Sequence, residues 1–275
     1  MKYSHFWLYL WVLIPFSGLC QTEVMSFNIR YDSPEDNENW WEYRKSEVVD
    51  LIKNQQSDFV GIQEATPNQL LYLEEELDSY DYIGFGREGL NSKSEGVPLF
   101  YLKNKYTLIK SEVFWLSSTP KTVSLGWDAS YKRIVVYGSF KNEDTGEVWH
   151  VLNCHFDHQG KIAREKSAEL LLSFIEDENI ASEKILLIGD LNCLPFEKAI
   201  QILKQKFKDA ADSGVVFGPS ATFNAFDLEE VPTKRIDYIF TRNLKINSFS
   251  TIDLRRKNNL YISDHFPIVI QVSSQ

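Results

Sequence analysis

With three cysteines in 275 residues, the chain cannot build a disulfide framework. One of them, Cys20, closes an apolar leader-like segment. The other two, Cys154 and Cys193, each end an apolar run and read as buried free thiols, or as a single bridge in an oxidising compartment. So few thiols also disfavour a thiolate zinc site. Basic residues are in short supply: 29 Lys and Arg stand against 39 Asp and Glu, for a formal net charge of −10. An acidic chain is repelled by polyanions, and tight sequence-independent nucleic-acid binding draws on many Lys and Arg contacts to phosphate. Nucleic acid is therefore a disfavoured partner, though not an excluded one. The single lysine cluster, Lys198, Lys204, Lys206 and Lys208, reads as a solvated face. There is no GxSxG elbow, no Walker loop and no dinucleotide fingerprint, which weakens nucleophilic-serine and nucleotide-motor readings. No internal repeat, low-complexity stretch or linker divides the chain, so residues 21–275 read as one domain, expected to be monomeric.

What is present begins at the N-terminus. Lys2, the apolar run Phe6–Phe16, and then Ser17, Gly18, Leu19 and Cys20 follow the order of a secretory signal. The run is too short for a membrane span, which needs roughly 20 residues. Residues 1–20 are expected to be a signal peptide and the product to be exported, periplasmic or extracellular. The alternatives are lipidation of Cys20, which Leu19 fits poorly, and an uncleaved anchor.

Beyond it, short apolar runs alternate with helical periodicity. Strands are predicted at Val24–Ile29, Phe59–Glu64, Lys184–Asp190, Arg235–Phe240 and Phe266–Val272, with further strands at 80–85, 97–103 and 106–116. A hairpin is predicted from 132–140 and 147–156 around the turn Asn142–Gly146. Helices are predicted at Trp41–Gln55, Pro67–Leu77, Arg164–Ile180 and Pro195–Phe207. Seven Trp and 14% aromatic residues supply a large core. Mixed strands with interspersed helices imply a layered α/β or α+β domain.

The polar residues that matter share one place in this pattern, at or just past the end of an apolar strand: Asn28, Glu64, His155, Asp157, Asp190 and Asn192, with Asp237 inside RIDYIF and Asp264–His265 directly before FPIVI. Taken singly, each reads as a turn or helix cap. Taken together, they suggest one site, because a buried polar group costs about 1–3 kcal/mol unless it is paired. Carboxylates and amides supply oxygen, which suits a hard cation such as Mg²⁺, Mn²⁺ or Ca²⁺. A divalent ion with an activated water suits hydrolysis of a phosphoester.

The ordered segments FNIR, IQE, CHFDH, GDLN, RIDYIF and SDHFP resemble the endonuclease/exonuclease/phosphatase superfamily, which includes deoxyribonuclease I, exonuclease III, neutral sphingomyelinases and inositol polyphosphate 5-phosphatases. The resemblance runs from about Val24 to Val272. It implies a four-layer sandwich of two packed mixed β-sheets flanked by helices. It implies Glu64 as principal metal ligand, with Asn28 supporting the metal and Asp264 accessory to it. It implies Asp190 activating the attacking water, Asn192 on the phosphoryl oxygens, and His265, paired with Asp237, at the scissile phosphate. His155 corresponds to a histidine of the deoxyribonuclease I and sphingomyelinase branches. Further segments, among them FWLSSTP and GWDASYKRIV, are similar to exported members common in Bacteroidetes-type bacteria. Arg30, Arg133, His158 and Arg164 lie in such segments and are either phosphate contacts or structural ion pairs. Trp41 and Trp127 are either pocket-lining or core. The expected activity is metal-dependent phosphodiesterase or phosphatase on a phosphorylated small molecule or lipid headgroup. A secreted nuclease and a non-catalytic phospholigand binder are the alternatives.

Overall fold

Buried side chains alternate between two directions along the central strands, and this alternation sets the layering. In the strand ending at Asp190, Leu186 and Ile188 point into one core while Ile185 and Leu187 point into another. A computed structural model of the chain describes residues 21–90 and 92–275. The signal-peptide expectation for residues 1–20 lies outside these.

In chain order the elements are β1 (Thr22–Asn28), α1 (Trp41–Gln55), β2 (Phe59–Gln63), α2 (Pro67–Glu76), β3 (Tyr80–Ile83), β4 (Leu99–Leu102), β5 (Tyr106–Trp115), β6 (Ile134–Asn142), β7 (Val148–His155), α3 (Lys161–Asp177), β8 (Lys184–Asp190), α4 (Lys198–Lys204), β9 (Lys208–Asp209), β10 (Val215–Phe217), β11 (Asp237–Arg242), β12 (Leu244–Thr251) and β13 (Ile268–Ser274). One sheet has seven strands in the order β10-β12-β13-β1-β2-β4-β3, and the other has six in the order β5-β6-β7-β8-β11-β9. Both are mixed: β1–β2 and β7–β8 run parallel, while β1–β13 and β8–β11 run antiparallel. The inner core between the sheets includes Val24, Phe59 and Leu99 from one and Val136, Val151 and Ile188 from the other. α1 and α2 cover the outer face of the seven-stranded sheet, and α3 and α4 cover that of the six-stranded sheet. This is the four-layer sandwich expected. No described helix is long and apolar enough to cross a membrane.

One polar clamp fixes the spacing of the two sheets close to the strand ends that matter. Asn153 on β7 donates to the carbonyls of Ile62 and Pro98, each at 2.9 Å. It also accepts from Gln63 Nε2 at 2.8 Å, and both side chains are fully buried. These buried amide contacts tie the sheets in one register, although Gln63 Oε1 itself has no partner.

Several boundaries differ from the sequence reading. β2 ends at Gln63, leaving Glu64 one residue beyond it, and β13 begins only at Ile268. The α3 helix runs Lys161–Asp177 instead of Arg164–Ile180, because the Asp128 carboxylate accepts from the Ile162 and Ala163 amides and starts the helix early. The helix predicted over Pro195–Phe207 shrinks to Lys198–Lys204, because Glu197 accepts from the Leu194 amide at 2.6 Å and holds residues 194–197 as a turn. Cys154 and Cys193 are buried free thiols. Trp41 is core, 1% exposed, and Trp127 is 38% exposed. The lysine cluster is solvated, Lys198 pairing with Glu165 and Lys204 with Asp212.

Candidate active site

Strand register assembles the site. His155 at the end of β7 lies opposite Asp190 at the end of β8, and Asp190 lies opposite Asp237 at the start of β11. Directly opposed residues share a face of a sheet, so the three side chains form one row pointing towards the other sheet. Gly189 makes this approach possible: its φ is +146°, and a Cβ there would lie 1.9 Å from the Cys154 carbonyl oxygen. From the facing sheet, Asn28 at the end of β1 donates through Nδ2 to Glu64 Oε1 and to Asp190 Oδ2, each at 3.1 Å. One amide thus bridges the carboxylates of the two sheets. Glu64, Arg30 and Asn192 take left-handed φ values of 65°, 57° and 48°. Such conformations cost energy in non-glycine residues and cluster at functional sites.

The electrostatics divide the residues into distinct states. His265, in the segment before β13, donates through Nδ1 to Asp237 Oδ2 at 2.9 Å, and its Nε2 lies 3.8 Å from Asp190 Oδ2. Burial alone would depress this imidazole, but the charges of Asp237 and then Asp190 raise it well above 6.5, so the ring is an imidazolium at neutral pH. Asp190 is raised to about 7, first by burial and then by the like charge of Asp237. Burial also raises Asp264, whose carboxylate accepts from the Ser263 hydroxyl at 3.3 Å. His155 is pushed well below 6.5 by burial and then by the charge of Arg133. It is therefore neutral, and its Nε2 accepts from Asn192 Nδ2 at 3.0 Å. Its 3.3 Å approach to Asp190 is accordingly not an ion pair.

These groups open into a cavity of about 630 Å³ whose lining includes Glu64, His155, Asp190, Asn192, Asp264 and His265. Of the four basic residues left open by the sequence, Arg30, Arg133 and His158 also line it. Arg30 is occupied by Asp36 at 2.9 Å, and that hydrogen bond, with the charges of Asp264 and Glu64, outweighs burial and raises its pKa. Arg164 is not among the lining residues. It donates to the Asp157 carbonyl and pairs with Glu197, each at 3.2 Å, so of its two readings the structural ion pair holds. Trp127 does not line the cavity either. The sequence reading missed Arg87, Glu95, Tyr131, Phe223 and Lys234, all in the lining. Only Tyr131 lay in a segment already singled out, GWDASYKRIV. The others sit in connecting segments without periodicity.

The donor set fits a hard divalent cation. Asp190, Asp237 and His265 bring ligand-type atoms within 4.8 Å of one another. An imidazolium has no free lone pair, however, so this trio acts as a carboxylate–imidazolium–carboxylate bridge. The carboxylates that remain for a cation are Glu64, Asp264 and the Asp190 edge. Asn28, expected to support the metal site, lies against two of these carboxylates. Its Oδ1 accepts from the Arg30 amide at 3.0 Å, which turns the amide nitrogen towards the carboxylates. It thereby steadies Glu64 and Asp190.

The sequence model of the endonuclease/exonuclease/phosphatase family matches residues 25–265. An endonuclease/exonuclease/phosphatase from Bacteroides vulgatus superposes with a TM-score of 0.88 at 34% identity, covering 93% of this chain and 99% of that one. A mannosyl-6-phosphatase from Bacteroides thetaiotaomicron superposes with a TM-score of 0.85 at 30% identity, covering 91% of this chain and 99% of that one. TDP2 from D. rerio, complexed with a single-strand DNA product, shares the fold at 17% identity and a TM-score of 0.72, covering 93% of this chain and 100% of that one. No protein of curated function matches the chain.

Proposed function

This chain belongs to the endonuclease/exonuclease/phosphatase family, whose members are phosphoester hydrolases, and from that premise we propose a Mg²⁺- or Mn²⁺-dependent hydrolase of small phosphorylated molecules. The observation that carries the proposal is the position of His265, donating to Asp237 at 2.9 Å and lying 3.8 Å from Asp190 at the floor of an open cavity. A buried imidazolium held between two carboxylates is a fixed positive charge beside a potential base, and a developing phosphorane needs both. The likeness to a mannosyl-6-phosphatase makes a sugar phosphate the first substrate class to test.

Glu64 and Asp264, with the near edge of Asp190, would hold the cation. When bound, it neutralises phosphoryl charge and makes water more acidic. Asp190, made more basic than an exposed carboxylate by burial and by the like charge of Asp237, takes the proton of the attacking water. The new bond runs from the water oxygen to phosphorus as the ester P–O bond opposite it breaks, and the departing alkoxide is protonated by solvent. His265 donates to the phosphoryl oxygens, and Asn192, held by neutral His155 at 3.0 Å, does so by exchanging its 3.2 Å bond to the Phe156 carbonyl for one to the substrate. Asp237 keeps His265 charged and oriented.

Asp190→Ala and His265→Ala are expected to lower kcat/KM on p-nitrophenyl phosphate or bis-p-nitrophenyl phosphate by about 10²-fold or more in Mg²⁺. Near-full activity in both variants would falsify the assignment. Plasmid DNA and sphingomyelin, assayed beside sugar phosphates, identify the substrate class. We further propose that the protein is exported, on the basic, apolar and small-residue order of residues 1–20. Recovery of the intact N-terminus from the cytoplasmic fraction would count against export.

A further inference from the structure

One side of the cavity carries two guanidinium groups, one of which is matched only loosely by its carboxylate. Arg133, in the segment leading into β6, is only 6% exposed. Its Nε lacks a hydrogen-bond partner, and the Asp157 carboxylate stands 3.8 Å away, beyond hydrogen-bond reach. Its one side-chain hydrogen bond is a long one, in which Nη2 donates to His158 Nδ1 at 3.5 Å. A guanidinium has five N–H donors, and burying it without a close anion is costly. A second guanidinium stands on the same side of the cavity. Arg87 lies 4.6 Å from the centre of the Tyr131 ring, and Arg133 lies 6.0 Å from the same ring. Tyr131 stacks in turn on His158. Arg87 pairs closely with Glu95 at 2.8 Å, whereas Arg133 has only the looser ion pair with Asp157 at 3.8 Å. Both guanidinium groups line the same cavity as His155, which touches Asn192 and Asp190 on the floor.

Arg87, Glu95, Arg133 and His155 all line the cavity of about 630 Å³, so both guanidinium groups border the space a bound ester would occupy. A phosphomonoester at neutral pH carries nearly two negative charges and three terminal oxygens, because its second pKa is about 6. A diester carries one charge, and an organic arm takes the place of the third oxygen. A bare oxygen can approach a planar donor fork, and a carbon arm there would strand the fork's N–H groups.

We infer that Arg133 and Arg87, held around Tyr131, receive the additional anionic oxygen of a phosphomonoester and make this site a phosphomonoesterase. The inference rests on the hydrolase reading above and chooses within it. The floor performs the chemistry, and the guanidinium wall decides which ester presents itself.

The test is a ratio. Wild type should favour p-nitrophenyl phosphate over bis-p-nitrophenyl phosphate in kcat/KM, and Arg133→Met should lower that ratio by about 10²-fold. Arg87→Gln, at a less buried position, should lower it by about tenfold and decides the matter if Arg133→Met does not fold. A parallel calorimetric titration needs no turnover. Inorganic phosphate should bind wild type at about pH 8 at least tenfold more tightly than monoanionic dimethyl phosphate, with the advantage lost in the arginine variants. A wild type that prefers the diester, or a ratio that both substitutions leave unchanged, overturns the inference. Failure of wild type to hydrolyse either ester sinks the hydrolase reading instead. The titration then judges the wall alone: arginine-dependent selectivity for the dianion supports it, and equal binding of the two anions rules it out.

Discussion

The floor and the wall of the cavity are built by different means. On the floor, His155, Asp190 and Asp237 are placed by hydrogen-bond register across three adjacent strands, and Asn28 is placed by the facing sheet. Its principal charge finds counter-charges at once, His265 between Asp237 and Asp190. The wall stands on connecting segments. Tyr131 and His158 depend on one buried carboxylate, Asp157, which accepts from the amides of Ser130 and Tyr131 through Oδ1 and of Gln159 and Gly160 through Oδ2. On the wall the charge of Arg133 is matched only loosely, its Nε lying 3.8 Å from Asp157 without a hydrogen bond. A rigid sheet edge keeps reacting groups within the small tolerances that catalysis needs, whereas loops can vary and still recognise a ligand. The division assigns rate to the floor and selectivity to the wall.

Asp237→Asn attacks the floor at its hinge and should have the largest effect. The substitution keeps the shape but removes the charge chiefly responsible for raising His265. The imidazole pKa then falls, so the ring loses its proton at lower pH and the basic limb of the kcat/KM profile moves towards acid. The loss at neutral pH should be about 10²-fold in kcat, with KM little changed. The stability sign follows the same shift. A histidine with a raised folded pKa contributes stability that is fully present below 6.5 and is lost as pH rises through the folded value. The variant should therefore melt lower than wild type at about pH 6, with the gap closing in alkali. An unchanged pH profile would detach His265 from Asp237 and break the account of the floor.

The same division explains what could be read in the sequence. Asp190 was legible because KILLIGD is an apolar run buried on both faces, and a carboxylate ending such a run is conspicuous. Glu64 and Asn28 were legible for the same reason, with superfamily order adding their expected roles. β12 was missed because Ser, Asn and Lys occupy its outward positions and interrupt its apolar alternation, although Leu244, Ile246 and Phe249 are buried. Arg87 and Lys234 lie in segments whose shape depends on residues distant in sequence, so no local period marks them. The early start of α3 has the same origin, since Asp128 caps it from across the fold. Local pattern reveals strand ends, while the chain's long-range contacts determine what gathers around them.

Asp157→Ala tests whether the wall really depends on one carboxylate. Burial works against this acid, but four backbone N–H donors outweigh it and hold its pKa below 3.8. Removing it strands those amides and takes away the ion-pair partner of Arg133, at a cost of about 3–5 kcal/mol of stability at neutral pH. A depressed carboxylate contributes stability above its unfolded pKa and loses it as pH falls through the folded value, so the gap in unfolding free energy should narrow below about pH 4. Kinetically, KM for a phosphomonoester should rise about tenfold while kcat falls by less, because the disturbed residues recognise substrate and do not react with it. A loss confined to kcat would place Asp157 with the floor and blur the division.

Arg164→Met should be the mildest change and marks where the wall ends. Arg164 lies beside Asp157 in space, is basic, and belongs to a segment resembling a phosphate contact, yet it faces away from the cavity. Its guanidinium donates to the Asp157 carbonyl and pairs with Glu197, whose other carboxylate oxygen fixes the Leu194 turn. The side chain is 11% exposed, so the pair is screened less than a surface bridge, and methionine keeps most of its packing volume. The expected loss is about 1 kcal/mol of stability, seen as a slightly lower denaturation midpoint. The monoester-to-diester ratio should stay within about twofold of wild type, since no ligand-facing donor is removed. A tenfold fall in that ratio would show that recognition reaches through Asp157 to α3, and the boundary of the wall would have to be redrawn around Glu197.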